Sequence, residues 1–416
     1  MAKIFLSFQN GIASDVSDSV IPCFYESLIK GLIDAGNDVM VYHAWGMPYG
    51  NRPNDAEKIV ESLKFFAPDL VMAFNNYGPD YSKWYDGPIV IYEVDSPIYY
   101  ENKDCITGCP NRYSYCINQI ESKEILVKKY GVSESRIRLV PFFTEIQAKS
   151  CDKDINVSFV GSRFYGANLH WHDYRNVNPS CNALQRYKLL IQELRSDPFC
   201  NVESLCKRYE DMKLTPWDVN AIISSLSTEK RVKVLSSIAD LGLALYGTEE
   251  WLESRDSDFD LYCSYNPTKI YSLQQNQDLY NRSKVCLNVN HLQAISGFSW
   301  RVCDIMASSG CLVTEKKDNL DIYFPNVPIP TFSDRFECRK QVLRVLESPA
   351  MREDVTAACQ KAIESGFRFR HVLPIIEASV GLDLSSGKGL GKLSFVEHSQ
   401  DRFVVPTKKK KNRRWL

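Results

Sequence analysis

Residues 290–315, NHLQAISGFSWRVCDIMASSGCLVTE, carry the pattern of a β-α-β unit. The apolar run that ends at Asn290 predicts a strand, and a Gly-Phe-Ser loop then leads into a helix that begins near Trp300. A Ser-Gly pair ends this helix, and the apolar residues after it predict a strand that ends at Glu315. A loop that enters a helix N-terminus offers unpaired backbone N–H groups, which suit a diphosphate.

Strand and helix patterns alternate along most of the chain. Helical patterns of ten to sixteen residues separate short apolar runs, which favours parallel sheets covered by helices on both faces. The predicted strands are residues 3–9, 38–44, 69–74, 88–94, 112–117, 136–143, 155–161, 241–247, 259–263, 285–290 and 311–315.

The pattern predicts an α/β protein of two Rossmann-like domains facing each other across a cleft. Residues 1–148 form the first domain and residues 155–380 the second, with a helical insertion at about 200–230. Residues 381–416 read as an irregular segment with a basic tail. Ligands of doubly wound sheets bind at the carboxyl ends of the strands, so function is expected in the loops there.

Composition excludes several other classes of protein. The chain has 416 residues, of which 44% are hydrophobic and 24% charged, values typical of a globular protein. We find neither an apolar run long enough to span a membrane nor a signal peptide, and therefore expect a cytoplasmic protein. G-x-G-x-x-G after the first strand, a Walker A loop and H-E-x-x-H are all absent, which argues against dehydrogenases and P-loop enzymes.

The net charge of −1 hides a basic end, with four lysines and two arginines between Lys408 and Arg414. A short basic end on an acidic body does not predict nucleic-acid binding. Either the tail is solvated, or it attracts anionic lipid and holds the protein peripherally at the inner face of a membrane. Deletion of the residues after Thr407 tests the second interpretation by its effect on liposome binding.

Two groups of side chains have a partial metal-binding pattern. Cys105, Cys109 and Cys116 lack a second clean pair, so they are interpreted as loop or core thiols. His170 and His172 form an H-x-H without an apparent third ligand, and a substrate-contacting loop is the preferred interpretation. We therefore predict no metal site.

Several segments together resemble one family. The strand ending in Asn, the Arg-x-x-Asp helix and the strand ending in Glu within residues 290–315 resemble the donor-binding segment of GT-B glycosyltransferases, closest to the CgeB-like group related to the glycosyl transferases group 1. Further resembling segments follow in the family's order: VIYEVDSP (90–97), SFVGS (158–162), DLYNRSKVCLNVN (278–290) and GFRFRHVLPII (366–376).

The resemblance implies the GT-B fold and the transfer of a sugar from a nucleotide-sugar donor to a hydroxyl acceptor. The implied acceptor is a glycan, a lipid-linked glycan or a protein in surface glycan or glycoconjugate synthesis. The reaction would be metal-independent, with the nucleotide sugar as substrate and no cofactor. Two rivals stay open: a nucleotide-sugar epimerase of the same fold, and a two-domain binding or scaffold protein that has lost catalysis.

The resemblance also assigns donor contacts to particular residues. Backbone groups of one glycine turn and the Arg301 side chain would face the phosphates, and Asp304 would bind the ribose. On spacing alone, Arg301 and Asp304 are equally an exposed ion pair on an amphipathic helix. The implied donor contacts are Gly161, Ser162, Tyr246, Gly247, Lys269, Asn290, Arg301 and Asp304.

Retaining members of the wider group have two glutamates eight positions apart, where this chain has Ser296 and Asp304. Inversion or retention therefore stays open. An inverting enzyme needs a general base, for which Asp95 at a strand end is the first candidate and Glu93 the second. The alternative for Asp95 is a turn cap ahead of Pro97.

Other polar and aromatic residues near the predicted cleft have weaker patterns. His43 ends the second strand and is interpreted as structural. The aromatic residues of one segment either stack on a sugar or pack against the sheet edge; they are Tyr77, Tyr81, Trp84 and Tyr85.

Overall fold

The computed structural model describes residues 1–9, 21–44, 55–75, 79–97, 103–164, 181–196, 208, 216–387 and 389–396. The described strands are β1 (Lys3–Gln9), β2 (Asp38–Ala44), β3 (Leu70–Phe74), β4 (Ile89–Tyr92), β5 (Tyr113–Ile117), β6 (Ile137–Leu139), β7 (Ile155–Val160), β8 (Leu243–Tyr246), β9 (Tyr265–Asn266), β10 (Ser283–Asn288), β11 (Cys311–Glu315), β12 (Thr331–Phe332) and β13 (Leu393–Phe395).

The helices lie between these strands in the alternation that the sequence predicts. The described α-helices are α1 (Cys23–Asp34), α2 (Asp55–Phe66), α3 (Lys103–Gly108), α4 (Ile120–Tyr130), α5 (Cys181–Ser196), α6 (Pro216–Ser236), α7 (Phe259–Ser264), α8 (Leu273–Arg282), α9 (Arg301–Ala307), α10 (Asp318–Tyr323), α11 (Arg335–Glu347), α12 (Pro349–Gly366) and α13 (Phe369–Val380).

The first sheet has seven strands in the order β13-β2-β1-β3-β4-β5-β6, and its neighbouring strands are parallel. Ile4, Phe5 and Leu6 of β1 are completely buried. Side chains alternate between the two faces of a strand, so complete burial of consecutive residues means that both faces are covered. The continuous apolar run of β1 is therefore explained by its place inside the sheet.

The second sheet has six parallel strands in the order β12-β11-β10-β7-β8-β9. The helix α9 connects its neighbouring strands β10 and β11. The loop from β10 into α9 therefore lies at the carboxyl end of β10, inside the sheet, as the predicted β-α-β unit requires.

The end of the described chain returns to the first sheet. The helix α13 packs against β4, β5 and β6, and β13 pairs with β2. Phe369, Val372, Leu373 and Ile376 are buried, with the i, i+3, i+4, i+7 spacing of one helix face. The prediction of irregular structure after residue 380 is therefore wrong for residues 393–395, and α13, expected with the second domain, packs on the first sheet.

One glycine accommodates this returning segment. Gly36 follows α1 with φ +85°, a conformation that other residues rarely adopt, and a Cβ there would lie 2.8 Å from the backbone of Gly387. Both the turn after α1 and the close approach of the returning chain therefore require glycine at position 36.

The predicted strand at residues 259–263 is wrong, because these residues form α7. Asp258 caps this helix: its side chain accepts a hydrogen bond from the backbone N–H of Leu261. Such a cap stabilises a helical turn. Leu261 is fully buried, which explains why the segment looks like a short buried strand in the sequence.

The segment between the two sheets is fastened to the helices of the second. Lys153 Nζ donates to the carbonyl oxygens of Asn281, at 2.5 Å, and Ser309, at 2.7 Å. On the other side of the junction, the ring of Phe24 in α1 stacks on Trp300, with centroids 5.2 Å apart. These contacts fix how the strand ends of the two sheets approach each other.

Candidate active site

A hydrogen bond joins the carboxyl end of β4 in the first sheet to the loop after β10 in the second. Gln293 Nε2 donates to Asp95 Oδ1 at 2.5 Å, and Asn75 Nδ2 donates to Asp95 Oδ2 at 2.7 Å. The backbone N–H of Asp95 also donates to Asn75 Oδ1 at 2.9 Å. Burial raises the pKa of Asp95, although the bonds from Gln293 and Asn75 act to lower it. Asp95 therefore lies where the two sheets meet, as the sequence predicts, and remains partly exposed.

Glu93, the second candidate base, lies in a different environment. Its side chain is completely buried, and Ser122 of α4 donates to its Oε1 at 2.5 Å. Burial raises the pKa of Glu93 well above its ordinary value, and the nearby Asp95 carboxylate adds to this shift. Glu93 exposes no oxygen to a substrate, whereas Asp95 is partly exposed, so the structure favours Asp95 over Glu93 as the base.

Asparagine side chains hold the loop between β10 and α9. Asn290 Oδ1 accepts from the backbone N–H of Ser299 at 3.0 Å, and Asn288 Oδ1 accepts from Ser299 Oγ at 2.9 Å. Asn290 is 1% exposed, and its Nδ2 has no partner in the part of the chain that the structure describes. Asn290 therefore orders the loop, and its amide nitrogen is the group that remains for a ligand.

Two arginines lie close together beside this loop. Arg301 donates to Asn288 Oδ1 at 3.3 Å, and the buried Arg231 of α6 donates to the carbonyl oxygens of Ser162, at 2.6 Å, and Val289, at 3.3 Å. Burial, with the charge of Arg301, lowers the pKa of Arg231 to about 9. Among the residues described, no carboxylate forms an ion pair with Arg231. The pair therefore concentrates positive charge at the carboxyl end of β10, although the nearby Glu315 carboxylate also acts on Arg231.

Arg231 was not among the predicted donor contacts, and the predicted helical insertion at about 200–230 ends one residue before it. Instead α6 spans residues 216–236 and carries Lys230 and Arg231 to the carboxyl end of β10. Arg231 stacks on the ring of Phe164, 4.4 Å from its centroid. Its other partners are backbone carbonyls, which leave no sequence pattern.

A buried ion pair also holds the start of this loop. Lys230 Nζ lies 3.0 and 2.9 Å from the two carboxylate oxygens of Glu315, and Glu315 Oε2 accepts from the backbone N–H of Asn290 at 3.0 Å. Burial acts to raise the pKa of Glu315, but Lys230 and Lys317 lower it below its ordinary value. Glu315 is therefore ionised, and it anchors the start of the loop.

Asp304, for which the resemblance implies a ribose contact, is buried on α9 among protein groups. It is 2% exposed, Thr144 Oγ1 donates to its Oδ1 at 2.6 Å, and Cys23 Sγ lies 3.7 Å from its Oδ2. Burial raises the pKa of Asp304 to about 7. The carboxyl joins the inter-sheet segment and α1 to α9, so both its oxygens are engaged by protein groups.

The predicted glycine turns approach each other closely. Gly161 N donates to Tyr246 O at 2.9 Å, and Trp251 Nε1 donates to Gly161 O at 2.8 Å. Gly247 has φ +155°, and a Cβ there would lie 2.1 Å from Gly161 O. The two glycines therefore meet at the ends of β7 and β8. Ser162 connects them to the arginines, because its carbonyl accepts from Arg231.

Tyr246 and Lys269 are two further implied donor contacts. Tyr246 is 7% exposed at the end of β8, so its side chain offers little surface for a base. Lys269 follows β9, the edge strand, which β7 and β8 separate from β10. A phosphate between Arg231 and Arg301 would therefore be distant from Lys269 in the sheet.

His291 and Gln293 are cleft residues that the sequence analysis missed. His291 Nδ1 accepts from the backbone N–H of Gln293 at 3.3 Å, and its ring packs on Phe164 with centroids 4.5 Å apart. Burial lowers the pKa of His291 well below its ordinary value, and the cations Arg231 and Lys230 add to this effect. The imidazole is neutral, with its proton on Nε2.

The remaining sequence candidates are structural or lie outside the described residues. His43 is buried beside Phe8, and Tyr81 is a core residue that donates to Ser7 Oγ at 2.6 Å. Cys109 is exposed and Cys116 buried. In the described ranges, no three His, Cys, Asp or Glu side chains are grouped so as to hold a metal ion. Tyr77, His170, His172 and the basic tail lie outside those ranges.

One protein-family model matches part of the second half of the chain. Residues 230–378 match the model of a family described as glycosyl transferase-like. The match begins at Lys230 and includes both arginines, the asparagine-held loop and α9. No curated protein sequence matches this chain. No helix in the described residues has the length and apolar character needed to cross a membrane.

Several solved structures share the fold of this chain over nearly the whole length of both chains. Sucrose-phosphate synthase from Thermosynechococcus elongatus is 10% identical, with a TM-score of 0.54 over 90% of this chain and 97% of that chain. HepE from Anabaena, in complex with UDP-glucose, is 11% identical, with a TM-score of 0.55 over 92% and 100%. AviGT4, a glycosyltransferase involved in avilamycin A biosynthesis, is 14% identical, with a TM-score of 0.51 over 92% and 99%.

These likenesses confirm the predicted GT-B fold.

Proposed function

We propose that this chain transfers a sugar from a nucleotide-sugar donor to a hydroxyl acceptor, with Arg231 and Arg301 at the donor phosphates and Asp95 as the base. The observation that carries the proposal is the position of the arginine pair. It lies at the carboxyl end of β10, beside a loop that is hydrogen-bonded to a carboxylate of the opposite sheet. Ligands of such sheets bind at this end.

The arginines act on the leaving group. As the bond between the anomeric carbon and the diphosphate breaks, the electron pair stays on the diphosphate and its negative charge grows. Guanidinium groups held in place before the reaction stabilise that charge, and burial makes the interaction stronger than in water. This arrangement supports a metal-independent reaction, because the two cations supply the positive charge.

Asp95 acts on the acceptor. Its carboxylate takes the proton of the acceptor hydroxyl while the hydroxyl oxygen forms the new bond to the anomeric carbon. The raised pKa of Asp95 makes it a stronger base than an exposed aspartate, closer to the pH at which a base is most effective. Attack from the side of Asp95 and departure on the side of the arginines give inversion at the anomeric carbon.

The finer details of the substrate are part of the proposal. UDP-glucose is the first donor to test, because HepE of the same fold was solved with it. The order of the sequence motifs favours the CgeB-like group and an acceptor of surface glycan or glycoconjugate synthesis. The fold itself hosts many acceptors and does not choose between them.

The experiment is a thermal-shift screen of the full chain against UDP-glucose, UDP, GDP, CMP, dTDP and ADP. A ligand at about a hundred times its Kd adds roughly 2.7 kcal/mol to the free energy of unfolding, which raises the Tm. The nucleotide that binds then identifies the donor sugars for an assay of nucleotide release with added acceptors.

Variants locate the binding site. Arg231→Gln, and the less buried Arg301→Gln, are expected to abolish the shift by removing a phosphate contact. Arg339→Gln removes an arginine that pairs with Asp240 on the surface and should retain it. If no nucleotide raises the Tm of the wild type, the proposed function is wrong.

A further inference from the structure

The carboxylate of Asp95 is held by two amides that come from different sheets. Asn75 follows β3 of the first sheet, and Gln293 belongs to the loop after β10 of the second. Each donates to a different oxygen of Asp95, at 2.7 and 2.5 Å. The orientation of the carboxylate therefore depends on a residue of the donor side as well as on its own sheet.

Two such hydrogen bonds leave Asp95 able to accept a proton. An ionised carboxylate has about four lone-pair positions, and the two amides use two of them. The partial exposure of Asp95 leaves a path for a hydroxyl group to the rest. An amide N–H favours the ionised form of the carboxylate, because it donates to the negative charge.

Gln293 is itself fixed by its neighbours in the loop. Its backbone N–H donates to His291 Nδ1, and its carbonyl oxygen accepts from Gln119 Nε2 at 3.4 Å. The same Gln119 accepts, through Oε1, from the backbone N–H of Ile295 at 3.1 Å. The side chain of Gln293 thus extends from a loop segment that is docked on the first sheet and begins beside Arg231.

We propose that Gln293 is a positioning residue that orients the Asp95 carboxylate. The ability of Asp95 to accept a proton then depends on the loop between β10 and α9. This inference rests on the proposed function, in which Asp95 takes the acceptor proton. A donor that orders the loop between Val289 and Ser299 also sets the position of Gln293.

The charges around Asp95 decide the direction of the effect. In the described part of the chain, Glu93, which directly follows β4, and Tyr25 of α1 are the titratable side chains whose charge interacts with that of Asp95. Burial raises the pKa of both, and neither supplies a positive charge beside Asp95. Loss of the Gln293 donor is therefore expected to raise the pKa of Asp95 further, since no cation replaces it.

The test compares Gln293→Met, which keeps the length of the side chain and removes the donor, with Ser296→Ala. Ser296 Oγ donates to Glu121 Oε2 at 2.5 Å across the same junction, so the control removes an inter-sheet bond without contact to Asp95. The readout is the pH dependence of UDP release from UDP-glucose, with water in place of the acceptor.

In Gln293→Met we expect kcat at pH 7 to fall about tenfold and the acid limb of the profile to move upwards by about one pH unit, as loss of one charge-assisted bond implies. KM for UDP-glucose should stay within about twofold. Ser296→Ala should keep the acid limb of the wild type. An unmoved acid limb in Gln293→Met, or an equal shift in both variants, overturns the proposal.

A second measurement does not depend on turnover. In protein labelled with [13Cγ]aspartate, the resonance that disappears in Asp95→Asn reports the titration of Asp95. Its midpoint should rise in Gln293→Met and not in Ser296→Ala. If the wild type releases no UDP from UDP-glucose, the assay is repeated with the donor of the nucleotide that raises the Tm, and the proposed function fails only if no nucleotide does so. In every case this titration decides whether Gln293 holds the carboxylate, and an unchanged midpoint overturns that role.

Discussion

Asp304 is a single buried carboxyl that joins three parts of the molecule. It lies on α9 and is hydrogen-bonded to Thr144 of the inter-sheet segment and to Cys23 of α1. Its pKa is about 7 in the folded chain because burial disfavours the charged form. Between the pKa of an unfolded aspartate and pH 7, the folded state holds the extra proton. Its contribution to stability is therefore full at low pH and is lost as the pH rises towards 7.

We predict that Asp304→Asn becomes more stable relative to the wild type as the pH rises. The amide is uncharged at every pH and keeps an oxygen for Thr144 Oγ1. The difference in the free energy of unfolding between variant and wild type should therefore grow between about pH 4 and pH 8, by at most about 4 kcal/mol. Urea unfolding at a series of pH values measures it.

The matched control for this prediction is Asp318→Asn, which changes an exposed aspartate of α10. Its difference from the wild type should vary little over the same pH range. Curves for Asp304→Asn and wild type that run parallel would contradict the assignment of a raised pKa to Asp304.

At the residue scale, the sequence predicts where a residue lies in a helix or strand better than it predicts the groups to which that residue is hydrogen-bonded. The spacing correctly places Asp304 in the first turn of a helix after a loop, but its bond to Thr144 joins residues 160 positions apart. The place of Arg231 in the site was not predicted, for a related reason. Its partners are carbonyls of Ser162 and Val289, and any residue type supplies a carbonyl. Only the fold brings these groups together.

At the element scale, continuous apolar runs were predicted well. The runs at residues 3–9 and 38–44 form β1 and β2 with the predicted bounds, because strands that are buried inside a parallel sheet leave a continuous apolar signal. Short elements fail. The short apolar segment around Leu261 fits a buried strand as well as a helical turn. The hydrogen bond from the Asp258 cap stabilises the helical turn. Likewise β13 has three residues and owes its existence to pairing with β2.

The ends of β7 and β8 supply a prediction about elements. Gly247 has positive φ and faces Gly161 O at a distance that admits no side chain. Gly247→Ala should therefore push β8 away from β7, with a loss of about 2–4 kcal/mol in the free energy of unfolding, in the range of overpacking plus backbone strain. Urea unfolding measures the loss, and nucleotide binding should weaken with it.

The control is Gly366→Ala at the end of α12, where an added Cβ meets nothing within 4 Å. Alanine is the better helix former, so this variant should be as stable as the wild type or slightly more so. Equal stability of the two variants would show that the approach of Gly247 to Gly161 is not a tight constraint.

At the scale of the whole molecule, the chain passes between the two sheets twice. It crosses first through the segment after β6 and again between α12 and α13, so both sheets depend on the same junction. Arg368 connects the two crossings. It lies immediately before α13, and its guanidinium donates to the carbonyl oxygens of Thr144, at 3.0 Å, and Ile146, at 2.5 Å.

We predict that Arg368→Met destabilises the whole chain, whereas Arg370→Met does not. Both arginines pair with Glu364, but the side chain of Arg368 is 6% exposed and that of Arg370 is 66% exposed. Methionine keeps the length of the side chain and leaves two buried carbonyls without their donor, at a cost of about 2–4 kcal/mol. The exposed pair of Arg370 contributes little, since solvent screens it. Urea unfolding of the two variants measures the difference.

Arg368 holds the junction that places Asp95 against the Gln293 loop. Its loss should therefore also lower nucleotide release. Equal behaviour of the two variants would contradict that role.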